Sequence, residues 1–443
     1  MPLPLSLSQE ELAPIGPVTM MTAYELAGGI DTERLADALD LVISRHEPLR
    51  MRLLKQDDGS LRQEFRDTGQ PARPEVHVVE SIDTALADFQ LQHPDIYKDG
   101  PVRSAFFRDE EAGRTAFALH IDHMAIDGWG LELLISELTQ AYAALCSGVQ
   151  PELPGLRISF TDHVGLECEA GETVTDAQVR YWSDLLLDSS PYELPTELAR
   201  TGAKEAVAAT IARAVSAETT TRLLELSRKL RVPMPALAIA SIGVTAMARS
   251  GVTDMLVKNV HLGRDVPGSM RLVGCFTRTS FVKLGLDRDL PVERLIRNAA
   301  RGWLDSVTYS AAPFTLGRLF RHLLGTGAMD FETMMRLARA LTVNYFASPE
   351  RPSRDDPVLG TRIPVPTQSA YSVGNDVMPL LIEVRVGEQV NIGSICNPER
   401  YQKDGVATFL DGVTAGLAAI AASDPSGSTG TVADAIASSG GEG

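Results

Sequence analysis

The chain has 443 residues, which is too long for one ordinary domain and predicts two lobes of similar size. Apolar residues make up 44% of the chain and charged residues 22%, as in ordinary globular proteins. The formal net charge is −17, with no basic run, which argues against a nucleic-acid partner. No apolar run reaches the roughly 20 residues of a membrane span, and no secretory signal opens the sequence. We therefore expect no membrane association.

The cysteines and the missing motifs narrow the chemistry further. The four cysteines are widely spaced and show no metal-ligand pattern, which predicts free thiols in a reducing cytoplasm and no bound metal. The chain lacks G-x-x-x-x-G-K-[ST], G-x-G-x-x-G after a strand, G-x-S-x-G and H-E-x-x-H. The absence of these motifs argues against a P-loop nucleotide-binding protein, a nicotinamide-dependent enzyme, a serine hydrolase and a zinc protease.

The first half of the chain mixes helical and strand periodicities. Asp31 is a good N-cap for a helix whose apolar residues recur at helical spacing. A Gly- and Pro-containing loop at 148–155 is a plausible hinge between lobes. The predicted elements are helices at about 32–45 and 130–145 and strands at 102–108 and 115–122.

The second half continues without a strict βαβ repeat, so we predict an α/β fold of mixed α+β character. One predicted helix begins near Ala177, and three others span 217–230, 236–248 and 403–422. The predicted strands are 255–260, 276–284, 341–346, 380–384 and 389–394. The expected lobes are residues 1–175 and 176–425. The Ser/Gly-rich tail, 426–443, is predicted to be disordered.

One stretch, His120–Gly130 (H-I-D-H-M-A-I-D-G-W-G), joins titratable side chains to a strand end and a sharp turn. A neutral imidazole has a pKa of about 6.5, so His123 can accept a proton from an amine or hydroxyl, as acyl transfer from a thioester requires. Asp127 could orient the loop by pairing with a cation, and the Gly128 N–H could point at a developing oxyanion. By itself H-x-x-x-D-G is a weak signal, because a His–Asp pair is more often structural.

The surrounding motifs strengthen that signal. D-H-M-A-I-D-G-W-G resembles the H-H-x-x-x-D-G signature of nonribosomal peptide synthetase condensation domains, which belong to the chloramphenicol acetyltransferase-like superfamily. R-H-E-P-L-R at 45–50, the opening P-L-S-L-S-Q-E-E-L, and H-L-G-R-D-V-P-G…V-G-C-F-T-R-T at 261–279 resemble other family elements in the same order. The resemblance covers roughly residues 3–425.

The resemblance implies two acetyltransferase-like lobes in a V-shaped pseudo-dimer, with the active site in a tunnel between them. The expected donor is an acyl or aminoacyl group on the phosphopantetheine of a separate acyl or peptidyl carrier protein, and no cofactor is bound covalently. The acceptor is a small-molecule amine or alcohol. No adenylation segment, carrier segment or attachment serine follows residue 425, so we expect a free-standing, monomeric, cytoplasmic enzyme of natural-product biosynthesis.

The resemblance also assigns roles to residues. His123 matches the second histidine of the signature, which contacts the attacking nucleophile as a general base or as a positioning acceptor, and Gly128 is the other predicted catalytic residue. Asp127 matches a mainly structural aspartate, which we expect to pair with Arg45. Arg50 matches a second arginine near the site and is predicted to bind substrate.

Other predicted substrate contacts are Trp129 and two positions that depart from the family pattern. Asp122 replaces the first histidine of the signature, where a carboxylate could raise the pKa of His123 or bind a cationic acceptor. Arg278 replaces an asparagine and could neutralise Asp122 or hold a substrate carboxylate. The alternative for Arg278 is an ordinary surface arginine.

Two other functions remain open. A condensation-like domain with a degraded signature could recruit partner proteins without forming a bond, and loss of the first histidine favours this alternative. Asp122 and Asp127 also fit the start of the heterocyclization signature D-x-x-x-x-D-x-x-S. Gly130 stands where that signature has its serine.

Overall fold

The computed structural model describes residues 2–67, 73–194, 205–206, 209–347, 355–364, 371–372 and 379–439. Its helices are α1 (Leu7–Leu12), α2 (Thr32–Arg45), α3 (Ile82–Leu91), α4 (Gly128–Cys146), α5 (Phe160–Glu169), α6 (Asp176–Leu186), α7 (Ala217–Leu230), α8 (Met234–Ser250), α9 (Val292–Thr308), α10 (Leu316–Gly325), α11 (Phe331–Ala338), α12 (Lys403–Ala422) and α13 (Thr429–Ser439). Its strands are β1 (Thr19–Leu26), β2 (Met51–Lys55), β3 (Leu61–Phe65), β4 (Glu75–Val78), β5 (Val102–Asp109), β6 (Arg114–Asp122), β7 (Glu205–Ala206), β8 (Ala209–Ala214), β9 (Asp254–His261), β10 (Arg278–Gly285), β11 (Thr342–Ala347), β12 (Asp355–Asp356), β13 (Gly360–Ile363), β14 (Tyr371–Ser372), β15 (Leu380–Val386) and β16 (Val390–Cys396).

These elements form two compact units that are not contiguous in sequence. The first unit contains Met1–Glu172 and two later segments, Leu262–Thr277 and Ser353–Ala370. The second unit contains the remainder: Thr173–His261, Arg278–Pro352 and Tyr371–Gly443. The predicted lobes, 1–175 and 176–425, did not include these returning segments, because local periodicity does not show which core a segment joins.

The first unit is built on a mixed sheet with the strand order β12-β13-β1-β6-β5-β4. The central pairs are antiparallel, and β4 alone runs parallel to β5 among the strands described in this sheet. One face, which includes Phe117, Leu119 and Ile121 of β6, packs against α2 and α4, and the opposite face packs against α3. Alternation along β6 therefore buries both faces, and the strand ends at Asp122 within the protein.

The second unit has a sheet of order β10-β9-β11-β15-β16-β8, in which β11 lies parallel to both neighbours. Helix α8 is buried along almost its whole length, which explains its unbroken apolar sequence. Helix α12 is long and apolar enough to cross a membrane by length and composition, as is the bent pair α7–α8. In α12 the buried residues, among them Phe409, Val413 and Leu417, belong to the core of the second unit, so packing accounts for its composition.

The prediction that the tail, residues 426–443, is disordered is wrong for most of its length. Residues Thr429–Ser439 form α13, which buries Val432, Ala433 and Ile436 in the core of the second unit. The Ser/Gly-rich composition obscured this short apolar stripe. A Cβ at Gly416 of α12 would lie 3.2 Å from Ile436 Cδ1, so glycine there permits close approach of the two helices. Residues 440–443 lie outside the described part of the chain.

Candidate active site

His123 lies in the loop that connects the end of β6 to the start of α4, within the first unit. Its backbone N–H donates to the Val18 carbonyl at 2.8 Å, and its own carbonyl accepts the Ile126 N–H at 3.3 Å. These bonds hold the loop backbone at the end of β6, beside the start of β1. The residue is half-buried, so part of its surface remains accessible.

A buried ion pair fixes the other end of this loop. Asp127 is the N-cap of α4, and its Oδ1 accepts the Gly130 N–H at 2.7 Å and the Arg264 guanidinium at 2.8 Å. Its Oδ2 accepts the Phe276 N–H at 2.9 Å. Neither side chain of the ion pair is more than 1% exposed, and the Arg264 guanidinium lies 4.1 Å from the centre of the Phe276 ring. Asp127 therefore connects the loop to the returning segment Leu262–Thr277.

The predicted partner of Asp127 is wrong. Arg45 pairs instead with Glu137 at 3.1 Å and donates to the Pro154 carbonyl. His46 Nε2 lies 2.8 Å from the same Glu137 carboxylate. The R-H-E element therefore joins the end of α2 to α4. Four arginines occur in the family-like motifs, and spacing in the sequence does not show which of them reaches Asp127.

The structure places three further predicted site residues: Gly128, Trp129 and Arg50. Gly128 is the first residue of α4, where a backbone N–H has no partner within the helix and lies at the positive end of the helix dipole. Trp129 Nε1 donates to the Met270 carbonyl at 2.9 Å, and Arg50 donates to the Arg66 carbonyl. Each of these two predicted substrate contacts thus makes one hydrogen bond within the protein.

Asp122 shapes the turn that presents His123. Its Oδ1 accepts the Met124 N–H at 2.8 Å, and its carbonyl accepts the Ala125 N–H at 2.9 Å. Burial raises the pKa of Asp122 to about 6. The pKa of His123 is lowered, mainly by burial, although backbone carbonyls and the charge of Asp127 act in the opposite direction. Burial therefore outweighs the negative charge of Asp127, and the pKa of His123 is lowered rather than raised as Asp122 could have made it.

Sequence reasoning missed three residues of this site. Arg264 lies in the H-L-G-R-D stretch, and Cys275 places its Sγ 3.7 Å from His123 Nδ1. Gln9 is buried at the third position of α1 and donates to the Met124 carbonyl at 3.0 Å. The S-x-x-Q spacing signals the capping box of α1, but only the fold brings Gln9 to the loop.

Arg278 begins β10 in the second unit, and its side chain is buried. The alternative of a surface arginine is therefore wrong.

Within the described part of the chain, no group of three or more His, Cys, Asp and Glu side chains is arranged to hold a metal ion.

Asp122→Asn is expected to stabilise the protein at neutral and alkaline pH. A carboxyl group with a raised pKa in the folded state costs stability as pH rises from about 4 through about 6, because the unfolded chain ionises more easily. The amide can still accept the Met124 N–H without a buried charge. We expect a gain of about 3 kcal/mol at pH 8 and about half of that at pH 5. Urea unfolding at both pH values measures this gain in the free energy of unfolding. An equal gain at both pH values would contradict the raised pKa of Asp122.

Known proteins resemble this chain in sequence. The family model for the condensation domain matches residues 18–346. A linear gramicidin synthase protein from Brevibacillus parabrevis is 25% identical over 335 residues, which cover 70% of this chain and 4% of that protein. A dimodular nonribosomal peptide synthase from Bacillus subtilis is 28% identical over 343 residues, which cover 68% of this chain and 14% of that protein. The chain thus spans a small part of the length of these relatives.

Solved structures show the same mixed α/β fold, as predicted. The epimerization domain from the third module of tyrocidine synthetase B matches with a TM-score of 0.78 and 17% identity, over 95% of this chain and 97% of that one. The first condensation domain of the calcium-dependent antibiotic synthetase, in complex with a substrate analogue, matches with a TM-score of 0.76 and 18% identity, over 97% and 99% of the two chains. With the family model matched over most of its length, this chain belongs to the condensation-domain family of nonribosomal peptide synthesis.

Proposed function

We propose that the chain is a condensation-type acyltransferase. It transfers an acyl or aminoacyl group from a carrier-protein phosphopantetheine thioester to the amine or hydroxyl of a small acceptor, forming an amide or ester in natural-product biosynthesis. The observation that carries this proposal is the partly accessible His123, held between the end of β6 and the buried Asp127–Arg264 ion pair. Such bracing keeps a proton-accepting imidazole in one position.

The chemistry follows from these groups. His123 accepts the proton of the acceptor as its nitrogen or oxygen attacks the thioester carbonyl. The carbonyl oxygen gains negative charge, and we propose that the Gly128 N–H, the first of α4, stabilises this charge. The carbon–sulfur bond then breaks, and the pantetheine thiolate leaves and takes up the proton. We propose His123 as general base rather than as positioning acceptor only.

A pH profile of the rate tests the general-base role. Because burial lowers the pKa of His123 below its ordinary value of about 6.5, the imidazole stays neutral at pH 7. We expect kcat to remain constant from pH 8 to below 6.5 and to fall only at lower pH, where His123 becomes protonated. Asp122 titrates nearby with a pKa of about 6, so the profile is repeated in Asp122→Asn to remove that group. A profile without any acid limb would contradict a role for the neutral imidazole in the transfer.

The acyl transfer itself is tested by mass spectrometry. Acylated carrier protein is incubated with this protein and a panel of amines and alcohols, and the acceptor is examined for the added acyl mass. We expect release of the carrier thiol together with one acylated acceptor. Carrier without an acyl group and the His123→Ala variant are the controls. Thiol release without acylated acceptor would show hydrolysis only, against the proposal.

Recruitment of a partner protein without bond formation is the main alternative, and no acylated product with any acceptor would favour it. Heterocyclization is disfavoured by Gly130, where that signature has serine. A Cβ there would lie 3.1 Å from both the Gly274 carbonyl oxygen and Ile126 Cγ1. A side chain at this position needs the returning segment to shift. A product that lacks one water, formed with cysteine, serine or threonine acceptors, would reveal heterocyclization.

We also propose that the enzyme works in the cytoplasm as a monomer. The buried Cys275 and Cys396 are free thiols in this structure, in keeping with a reducing compartment. Light scattering of the purified protein tests the monomer. That the domain is free-standing stays a prediction. The size of the natural polypeptide in a cell extract tests it.

A further inference from the structure

Cys275 contacts the imidazole of His123 from within the first unit. Its Sγ lies 3.7 Å from His123 Nδ1 and 3.8 Å from Thr277 Oγ1, and the residue is fully buried. Asp127 holds the backbone on both sides of this thiol. Its N–H donates to the Gly274 carbonyl at 3.0 Å, and its carboxylate accepts the Phe276 N–H at 2.9 Å. The sulfur is therefore placed against His123 by the same aspartate that fixes the loop.

The partner of one ring nitrogen decides the chemistry of the other. A neutral imidazole carries one N–H and one lone pair, and whichever nitrogen donates a hydrogen bond leaves the other as acceptor. Burial raises the pKa of the Cys275 thiol far above its ordinary value, so the sulfur keeps its proton. If Thr277 Oγ1 accepts that S–H, a sulfur lone pair is available to accept a hydrogen bond from Nδ1. The contacts with Cys275 thus favour a proton on Nδ1, in addition to the pull of the His123 and Ile126 carbonyls on a ring proton.

We propose that Cys275 is a positioning residue for His123. Its sulfur accepts a hydrogen bond from Nδ1–H, which holds the ring in one orientation and leaves the lone pair on Nε2 as the site that takes the proton of the acceptor. Cys275 itself does not react. The inference rests on the proposed function for the role of Nε2, whereas the position of the ring proton is a property of the protein alone.

Nitrogen-15 NMR of protein labelled at histidine measures the ring proton directly. The signal of His123 is the one lost in His123→Gln. At pH 8 we expect Nδ1 protonated and Nε2 unprotonated in the parent protein and in Cys275→Ser, and a shift towards Nε2–H in Cys275→Val. Cys396→Val is the matched control, because Cys396 is also a buried free thiol but lies in the second unit. Cys275→Ala removes the same sulfur if the valine variant does not fold.

Kinetics supply the second measurement. Loss of the sulfur should lower kcat about threefold to tenfold with little change in KM, the size expected for one hydrogen bond. Cys275→Ser should recover most of the rate, and Cys396→Val should leave it unchanged. A proton on Nε2 in the parent protein, or an unchanged His123 signal in Cys275→Val, would overturn the inference. The expected NMR shift without acyl transfer in the parent would instead count against the proposed function alone.

Discussion

His123→Ala is expected to lower the rate of acyl transfer by about two orders of magnitude or more, because a positioned general base contributes that much. The loss should appear in kcat rather than in KM, since the imidazole acts on the proton that moves in the transition state. Single-turnover transfer from acylated carrier to acceptor measures it.

The same substitution should leave folding nearly intact. The bonds that hold the loop are made by the backbone of His123, to Val18 and Ile126, and alanine keeps them. The side chain is only partly buried, and its contact with Cys275 is a weak hydrogen bond. Thermal unfolding of the variant should therefore match the parent within a few degrees. Full activity in a folded variant would contradict the role of His123.

His123→Gln separates the two roles that the sequence left open. Glutamine can orient an acceptor by hydrogen bonding, but it cannot take up a proton near neutral pH. If His123 is a general base, the glutamine variant should be as slow as alanine. A glutamine variant with most of the parent rate would instead support a positioning role.

The second large effect is on stability. Arg264→Leu is expected to destabilise the protein by about 3–5 kcal/mol, because it leaves the Asp127 carboxylate buried without its charge partner. The substitution also leaves the carbonyls of Ser269 and Leu272 without the guanidinium that binds them at 2.6 and 2.7 Å. Urea unfolding followed by circular dichroism measures the free energy.

Two variants isolate the charge from the other contacts. Asp127→Asn keeps a good N-cap for α4 but removes the negative charge opposite Arg264. The double variant Asp127→Asn/Arg264→Leu should lose less than the sum of the two single losses, because neither buried charge then remains unpaired.

Arg45→Ala is the matched control for Arg264→Leu. Arg45 is 23% exposed, and its partner Glu137 keeps a second contact with His46. We therefore expect a loss of about 1 kcal/mol or less. An equal loss from Arg45→Ala and Arg264→Leu would refute the assignment of Arg264 as the partner of Asp127.

The sequence alone predicted much of the local structure. The N-cap at Asp31 and the apolar spacing after it predicted α2, and alternation along 115–122 predicted β6. These predictions succeed because N-caps and hydrophobic periodicity depend on near neighbours in the chain. The tail was mispredicted because α13 is stabilised by burial against the second unit rather than by its own composition.

The sequence by itself determined the family resemblance, the strand–loop–helix position of His123 and the proposal of that residue as the proton acceptor. Only the tertiary structure decided which arginine pairs with Asp127 and which side chains touch the loop. Arg264 and Cys275 are 137 and 152 residues away from their partners along the chain. Such contacts form when the segment Leu262–Thr277 returns to the first unit, and no local pattern encodes that return. The tertiary structure also decided the direction of the shift in the His123 pKa, because burial is a property of the packed core.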